Sequence, residues 1–176
     1  MYYGSPPKKT DLAELLADKS GLIVALPGAF TPTCSKKCIP GYLDRLDELK
    51  AAGVTELIFL SVNDGAVMEA WAKTFTIPKA SGVNVHFLAD PFGHFAHHFK
   101  AMVEHPDCTS SMDRMGLLHR FKRTTMYVVK GTFMAVGQAF ADDSADEPDV
   151  FGDEHPEPTL VDAALEMIAK AKAKAK

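Results

Sequence analysis

Short apolar runs alternate with stretches of helical period along this chain. "GLIVALP", Gly21 to Pro27, is an unbroken apolar run of strand length that stops at a proline, and "TELIFLSV", Thr55 to Val62, is a second. Runs this short and this rich in branched residues predict buried strands. Between them Ile39, Tyr42, Leu43, Leu46 and Leu49 recur at helical spacing, which predicts a helix from about Thr33 to Ala52. Upstream, "DLAELLADK" predicts a short amphipathic helix after a polar start. Downstream, Asn63 or Asp64 can cap a helix with Val67, Met68, Trp71 and Phe75 on one face. "VHFLAD" predicts a third strand closed by "DPFG", followed by a helix from near His94, and "TTMYVVKGTFMAVGQAF" predicts two strands around a Lys-Gly turn. The acidic segment from Ala141 to Pro158 carries prolines and reads as a loop, with a last helix from Thr159 onward. Strands alternating with helices and then a hairpin imply an α/β architecture with a mixed central sheet flanked by helices, one domain over residues 1–176.

Composition narrows the partners. With 47% hydrophobic residues in 176, the chain can bury a full core. A net charge of −4 argues against nucleic acid as a partner, because phosphate contacts need a concentrated basic face. The terminal "KAKAKAK" reads as a solvated helix end whose lysines complement the helix dipole. No apolar run approaches the roughly 20 residues that span a membrane, and "MYYGSPPKKT" carries neither a signal core nor an Arg-rich leader pattern. The expectation is a cytoplasmic protein, or an organellar one after removal of a targeting segment. Three cysteines are too few for a secreted disulfide scaffold; in a reducing compartment a small group points to chemistry.

Two of the three lie in "LPGAFTPTCSKKCIPGY", directly after the first strand. With Thr31 as N-cap and Pro32 at the first helical position, Cys34 falls in the first turn, where unpaired N–H groups favour a thiolate. A thiolate in such a setting is a nucleophile; a buried structural cysteine is the competing reading. The string "PGAFTPTC", spaced P-x-x-x-T-x-x-C, resembles the active-site signature of peroxiredoxins. "PGY", "LSVND" and the tryptophan of the next helix resemble the peroxiredoxin five (type II) subfamily, as does "GLLHRFKRTTMYVV", Gly116 to Val129. The resemblance implies a thioredoxin-like fold, peroxide reduction without a cofactor or metal, and a homodimer. It makes Cys34 the peroxidatic nucleophile, Arg123 the active-site arginine with Arg120 a second family-like position, and Pro27 and Thr31 the signature partners.

Chemistry supplies matching roles: Cys34 attacks the O–O bond, the Thr31 hydroxyl orients the peroxide, Arg123 steadies the developing charge, and Pro27 shields the sulfur. The product is a sulfenic acid. How it is recycled stays open. Relatives carry a resolving cysteine where this chain has Phe59 or a cysteine-free acidic loop, and Cys38 stands where they usually have histidine. Cys34 and Cys38 share a helix face with Cβ atoms about 5–6 Å apart, beyond the ~3.8 Å of a relaxed disulfide, so a bond between them requires the turn to unwind. An external thiol (glutathione, glutaredoxin or thioredoxin) and Cys108 are the alternatives. Two other classes compete: a redox sensor or chaperone using the same Cys34, and a metal module combining "CSKKC" with His94, His97 and His98.

Overall fold

The structure, a computed structural model, describes residues 1–78, 81–103, 120–139 and 152–175. Among these described residues the centre is a seven-stranded mixed sheet. In chain order the strands are β1 (Tyr2–Tyr3), β2 (Lys8–Lys9), β3 (Ser20–Ala25), β4 (Glu56–Ser61), β5 (Asn84–Ala89), β8 (Thr124–Val129) and β9 (Thr132–Gln138), in spatial order β2-β1-β5-β4-β3-β8-β9. β3, β4 and β5 run parallel; β8 lies antiparallel to β3 and β9 antiparallel to β8. A separate pair joins β6 (Met102–Val103) to β7 (Arg120–Phe121).

Alternation along each strand divides the interior in two. Leu22, Val24, Leu57, Phe59, Phe87 and Tyr127 face one side. There they meet α2 (Ile39–Leu43), α3 (Leu46–Ala51), α4 (Gly65–Ala72) and α6 (Val161–Lys174). Ile23, Ala25, Ile58, Leu60, Leu88, Met126 and Val128 face the other, against α1 (Leu12–Leu16) and α5 (His94–His98). The Lys130-Gly131 turn has positive φ at both residues (48° and 75°), the geometry that lets a two-residue hairpin follow strand twist. Asp11 caps α1 and Asp64 caps α4 through its bond from Val67 N.

Two expectations change. The polar start is not wholly irregular: β1 and β2 pair and extend the sheet beyond β5. And the helix expected from Thr33 to Ala52 is not one α-helix. Helical geometry begins at Pro32, widens to a π turn over Cys34–Cys38 and returns to α2, and the chain then turns at Asp44 and Arg45 before α3. The cause of the π turn is Pro40, which has no N–H for the Lys36 carbonyl and whose ring would strike it. Closing the turn from Ile39 N–H to the Cys34 carbonyl, one residue further than in an α-helix, avoids that clash.

Candidate active site

The parallel strands end together, and the chain leaves β3 through Leu26, Pro27 and Gly28. Leu26 N donates to Leu60 O at 2.8 Å, and Ala29 N donates to Asn63 Oδ1 at 2.8 Å, so the loop is tied to the end of β4. Pro27 is buried at the start of this loop. Thr31 closes it: its carbonyl accepts from Ser35 N at 2.9 Å, as a cap residue's should, while its hydroxyl donates to Gly28 O at 2.9 Å. That leaves the hydroxyl lone pairs as acceptors. Phe30 takes a left-handed φ of 61°, with its exposed ring 6.2 Å from buried Trp71. Trp71 in turn donates from Nε1 to Ser35 Oγ at 3.0 Å and so fixes the helix start against α4.

Cys34 is fully buried, and Arg123 reaches it by strand register. Ala25 pairs with Thr124, so the residue just before β8 lies beside the loop leaving β3. Arg123 Nη2 approaches Cys34 Sγ at 3.4 Å and also holds the Asp153 carboxylate, and Nε donates to Gly152 O at 3.1 Å. Nη1 is buried with no acceptor among the described residues. Burial pulls against the guanidinium charge, but the Cys34, Cys38 and Asp153 groups facing it outweigh burial and hold Arg123 above its ordinary range. Arg120 is buried as well. A Cβ on Gly28 would come within 2.8 Å of its Nη1, so the glycine makes room for a second guanidinium beside Thr31. Burial lowers its pKa, with Cys34 and Asp153 opposing.

Cys38 points into the same interior. Burial pushes its thiol up to about 12, partly offset by Arg123, so it stays a neutral thiol in the folded chain. The structure thus gathers Cys34, Thr31, Pro27, Arg123 and Arg120 at one end of the sheet, with Cys38 one turn from Cys34. Cys108 lies outside the described residues. The metal reading fails on placement. The two thiols belong to the core on one sheet face, whereas His94, His97 and His98 are exposed on α5, which packs on the other face. Among the described residues no group of three His, Cys, Asp or Glu side chains could hold an ion.

Sequence reasoning missed Gly152 and Asp153 as partners of Arg123, Asn63 as the loop anchor and Ser35 as the acceptor for Trp71. The only signal for Asp153 was indirect: an arginine placed in a core demands an anion.

A mixed sheet with a buried thiol in the first helical turn after a central strand, flanked by a threonine and two buried arginines, defines a thioredoxin-like thiol domain of the peroxiredoxin type. The chain belongs to the Redoxin family, whose model matches residues 2–151. It is 47% identical over 83 residues to Peroxiredoxin-2B of Arabidopsis thaliana, covering 47% of this chain and 49% of that protein. It is 42% identical over 84 residues to Peroxiredoxin AHP1 of Chaetomium thermophilum, covering 48% and 47%. The chain's match therefore spans about half the length of these curated relatives. Among solved structures, reduced Prx3 in complex with h2o2 from Vibrio vulnificus superposes with a TM-score of 0.68 at 26% identity, covering 92% of this chain and 87% of that one.

Proposed function

We propose that this chain is a thiol-dependent peroxidase that reduces hydrogen peroxide and organic hydroperoxides at Cys34. The observation that carries the reading is the guanidinium of Arg123, which touches the sulfur through Nη2 and keeps the buried Nη1 donor without an acceptor among the described residues. A buried donor beside a thiolate fits a peroxide oxygen that gains charge as the O–O bond breaks. The thiolate attacks one oxygen, an S–O bond forms, and the other oxygen leaves and takes a proton to become water or an alcohol. Sulfur gives up two electrons and becomes a sulfenic acid. The Thr31 lone pairs accept the peroxide O–H, and Pro27 forms the wall of the loop.

Recycling we assign to an external thiol, glutathione or a protein of glutaredoxin or thioredoxin type. Cys38 acts as resolving group only from an unwound helix, since in the folded one it is neutral and held in the π turn. Exposed Phe30 beside the cysteine loop supports a second copy of the chain as partner, tested by sedimentation. No helix among the described residues is long and apolar enough to cross a membrane; a cytoplasmic site of action is part of the proposal.

The test is turnover. Protein supplied with peroxide and a thiol reductant consumes many equivalents, and Cys34→Ser consumes none. A single oxidising burst would instead favour the sensor role. Mass spectrometry after peroxide without reductant separates the recycling routes: a gain of oxygen on Cys34 marks the one-cysteine enzyme, and a loss of two hydrogens mapped to Cys34 and Cys38 marks internal resolution.

A further inference from the structure

Arg123 is fully buried, yet the groups that orient it come from far along the chain, in the segment that precedes α6. Gly152 O accepts from Nε at 3.1 Å, and the Asp153 carboxylate accepts from Nη2, the nitrogen that touches the Cys34 sulfur. Together these contacts fix the plane and rotation of the guanidinium. They point Nη2 at the sulfur and leave Nη1 over for substrate. The segment is itself fastened to the helix that bears Cys34. Lys37 Nζ meets Glu157 at 3.1 Å and Tyr42 Oη donates to Thr159 O at 2.7 Å, and in the turn after that helix Arg45 pairs with Asp162 of α6. Gly152 has φ of 68°, and a Cβ there would fall 2.3 Å from the Ala139 Cβ. Only glycine allows the approach that brings Asp153 onto Arg123.

We infer that Asp153 is a positioning residue for peroxide reduction, holding the Arg123 guanidinium in the orientation that serves both the Cys34 sulfur and the substrate oxygen. Its carboxylate also sets how much positive charge the sulfur feels, because anion and thiolate share one nitrogen. Among the described residues, the charged and titratable groups that face it include Cys34 and Cys38 from the helix, Arg123 ahead of β8, and Arg120 from β7. Glu154 and His155 follow it in the chain and are exposed. The inference rests on the peroxidase reading, and its test has a readout that needs no turnover.

Asp153→Asn keeps an oxygen for Nη2 and removes the charge, whereas Asp153→Ala removes both. The pH dependence of Cys34 alkylation by iodoacetamide, followed by peptide mass spectrometry, is measured beside the second-order rate with hydrogen peroxide. With a like charge gone from the sulfur's surroundings, the alkylation midpoint of Asp153→Asn moves to lower pH by about one unit. Its peroxide rate falls only a few-fold, while that of Asp153→Ala falls roughly ten- to a hundredfold as the fork loses its hold, and Asp153→Glu restores most of it. An alkylation midpoint in Asp153→Asn within about 0.2 unit of the parent would overturn the inference, as would an Asp153→Ala enzyme at the parent rate. Should Asp153→Ala fail to fold, the alkylation shift in Asp153→Asn still decides. A parent protein that turns over no peroxide, with the alkylation shift present in Asp153→Asn, would remove the peroxidase reading and leave only the hold of Asp153 on Arg123 and its effect on the Cys34 sulfur.

Discussion

Replacing Arg123 by lysine keeps one positive charge and removes the planar fork. In the parent the guanidinium serves Cys34 Sγ at 3.4 Å, Gly152 O at 3.1 Å and the Asp153 carboxylate together. An ammonium is a point charge and cannot reach all three; it settles on the carboxylate, the stronger anion. Moving a unit charge from 3.4 Å to about 6 Å from the sulfur, at an effective dielectric of about 20, loses about 2 kcal/mol of attraction. Losing the oriented donor for the leaving oxygen costs about 2 kcal/mol more, and together these slow attack on peroxide roughly a thousandfold. The chain has a single tryptophan, and Trp71 is hydrogen-bonded to Ser35, the residue after Cys34, so stopped-flow tryptophan fluorescence follows the proposed sulfenic acid formation. Thermal melts check that the variant folds. If Arg123→Lys reacts within about fivefold of the parent, the fork is not the transition-state donor and the argument is wrong.

Other consequences can be measured separately. Cys38 has a folded-state pKa raised to about 12 from 9.0, so its thiol stays protonated in the fold at a pH where the unfolded chain releases the proton. The stability it contributes is therefore complete below pH about 9 and lost as pH climbs toward about 12; Cys38→Ala flattens that slope in urea melts taken across the range. Glu56 is buried among Asn84 (2.9 Å), His86 (2.7 Å) and Lys19 (3.1 Å), and these bonds overcome burial to hold its pKa below 4.5. Its contribution is present above pH 4.5 and lost on further acidification, so Glu56→Gln weakens the acid dependence of unfolding below that pH. Gly152→Ala forces a side chain into a left-handed φ and onto Ala139, costing about 2–3 kcal/mol, seen as a melting point lower by several degrees together with slower peroxide reduction.

The longer strands were legible because short unbroken apolar runs supply both faces of a covered sheet at once, Ile23, Ala25, Ile58 and Leu60 on one side and Leu22, Val24, Leu57 and Phe59 on the other. Their spatial order was not, since it is set by crossovers that leave no local mark. The candidate cysteine and its threonine were legible as a cluster because a loop leaving a strand and entering a helix packs Pro27, Thr31 and Cys34 into eight consecutive residues; their roles in the reaction are part of the proposal. The π turn was not: apolar spacing cannot distinguish closure at the fifth residue from closure at the fourth, although Pro40 held the reason in plain view. The β1–β2 pair escaped because two-residue strands have no period to detect. The hold of Asp153 on Arg123 joins residues thirty positions apart, and nothing local marks one carboxylate among many in an acidic stretch of sequence.

The sheet separates the core that holds Cys34 and Cys38 on one face from a second core on the other face that holds neither. On that second face His94, His97 and His98 line the exposed side of α5, spaced as successive helical neighbours, and the packing beneath them is independent of the core that holds the thiols. A surface bearing chelated nickel or cobalt, which supplies most of the ligands itself and needs only the His94 and His98 pair, would therefore hold the protein by α5 and leave the face that carries the thiol core turned away. On an electrode, that arrangement would turn a protein in solution into an ordered film on which the proposed reaction with peroxide is read directly.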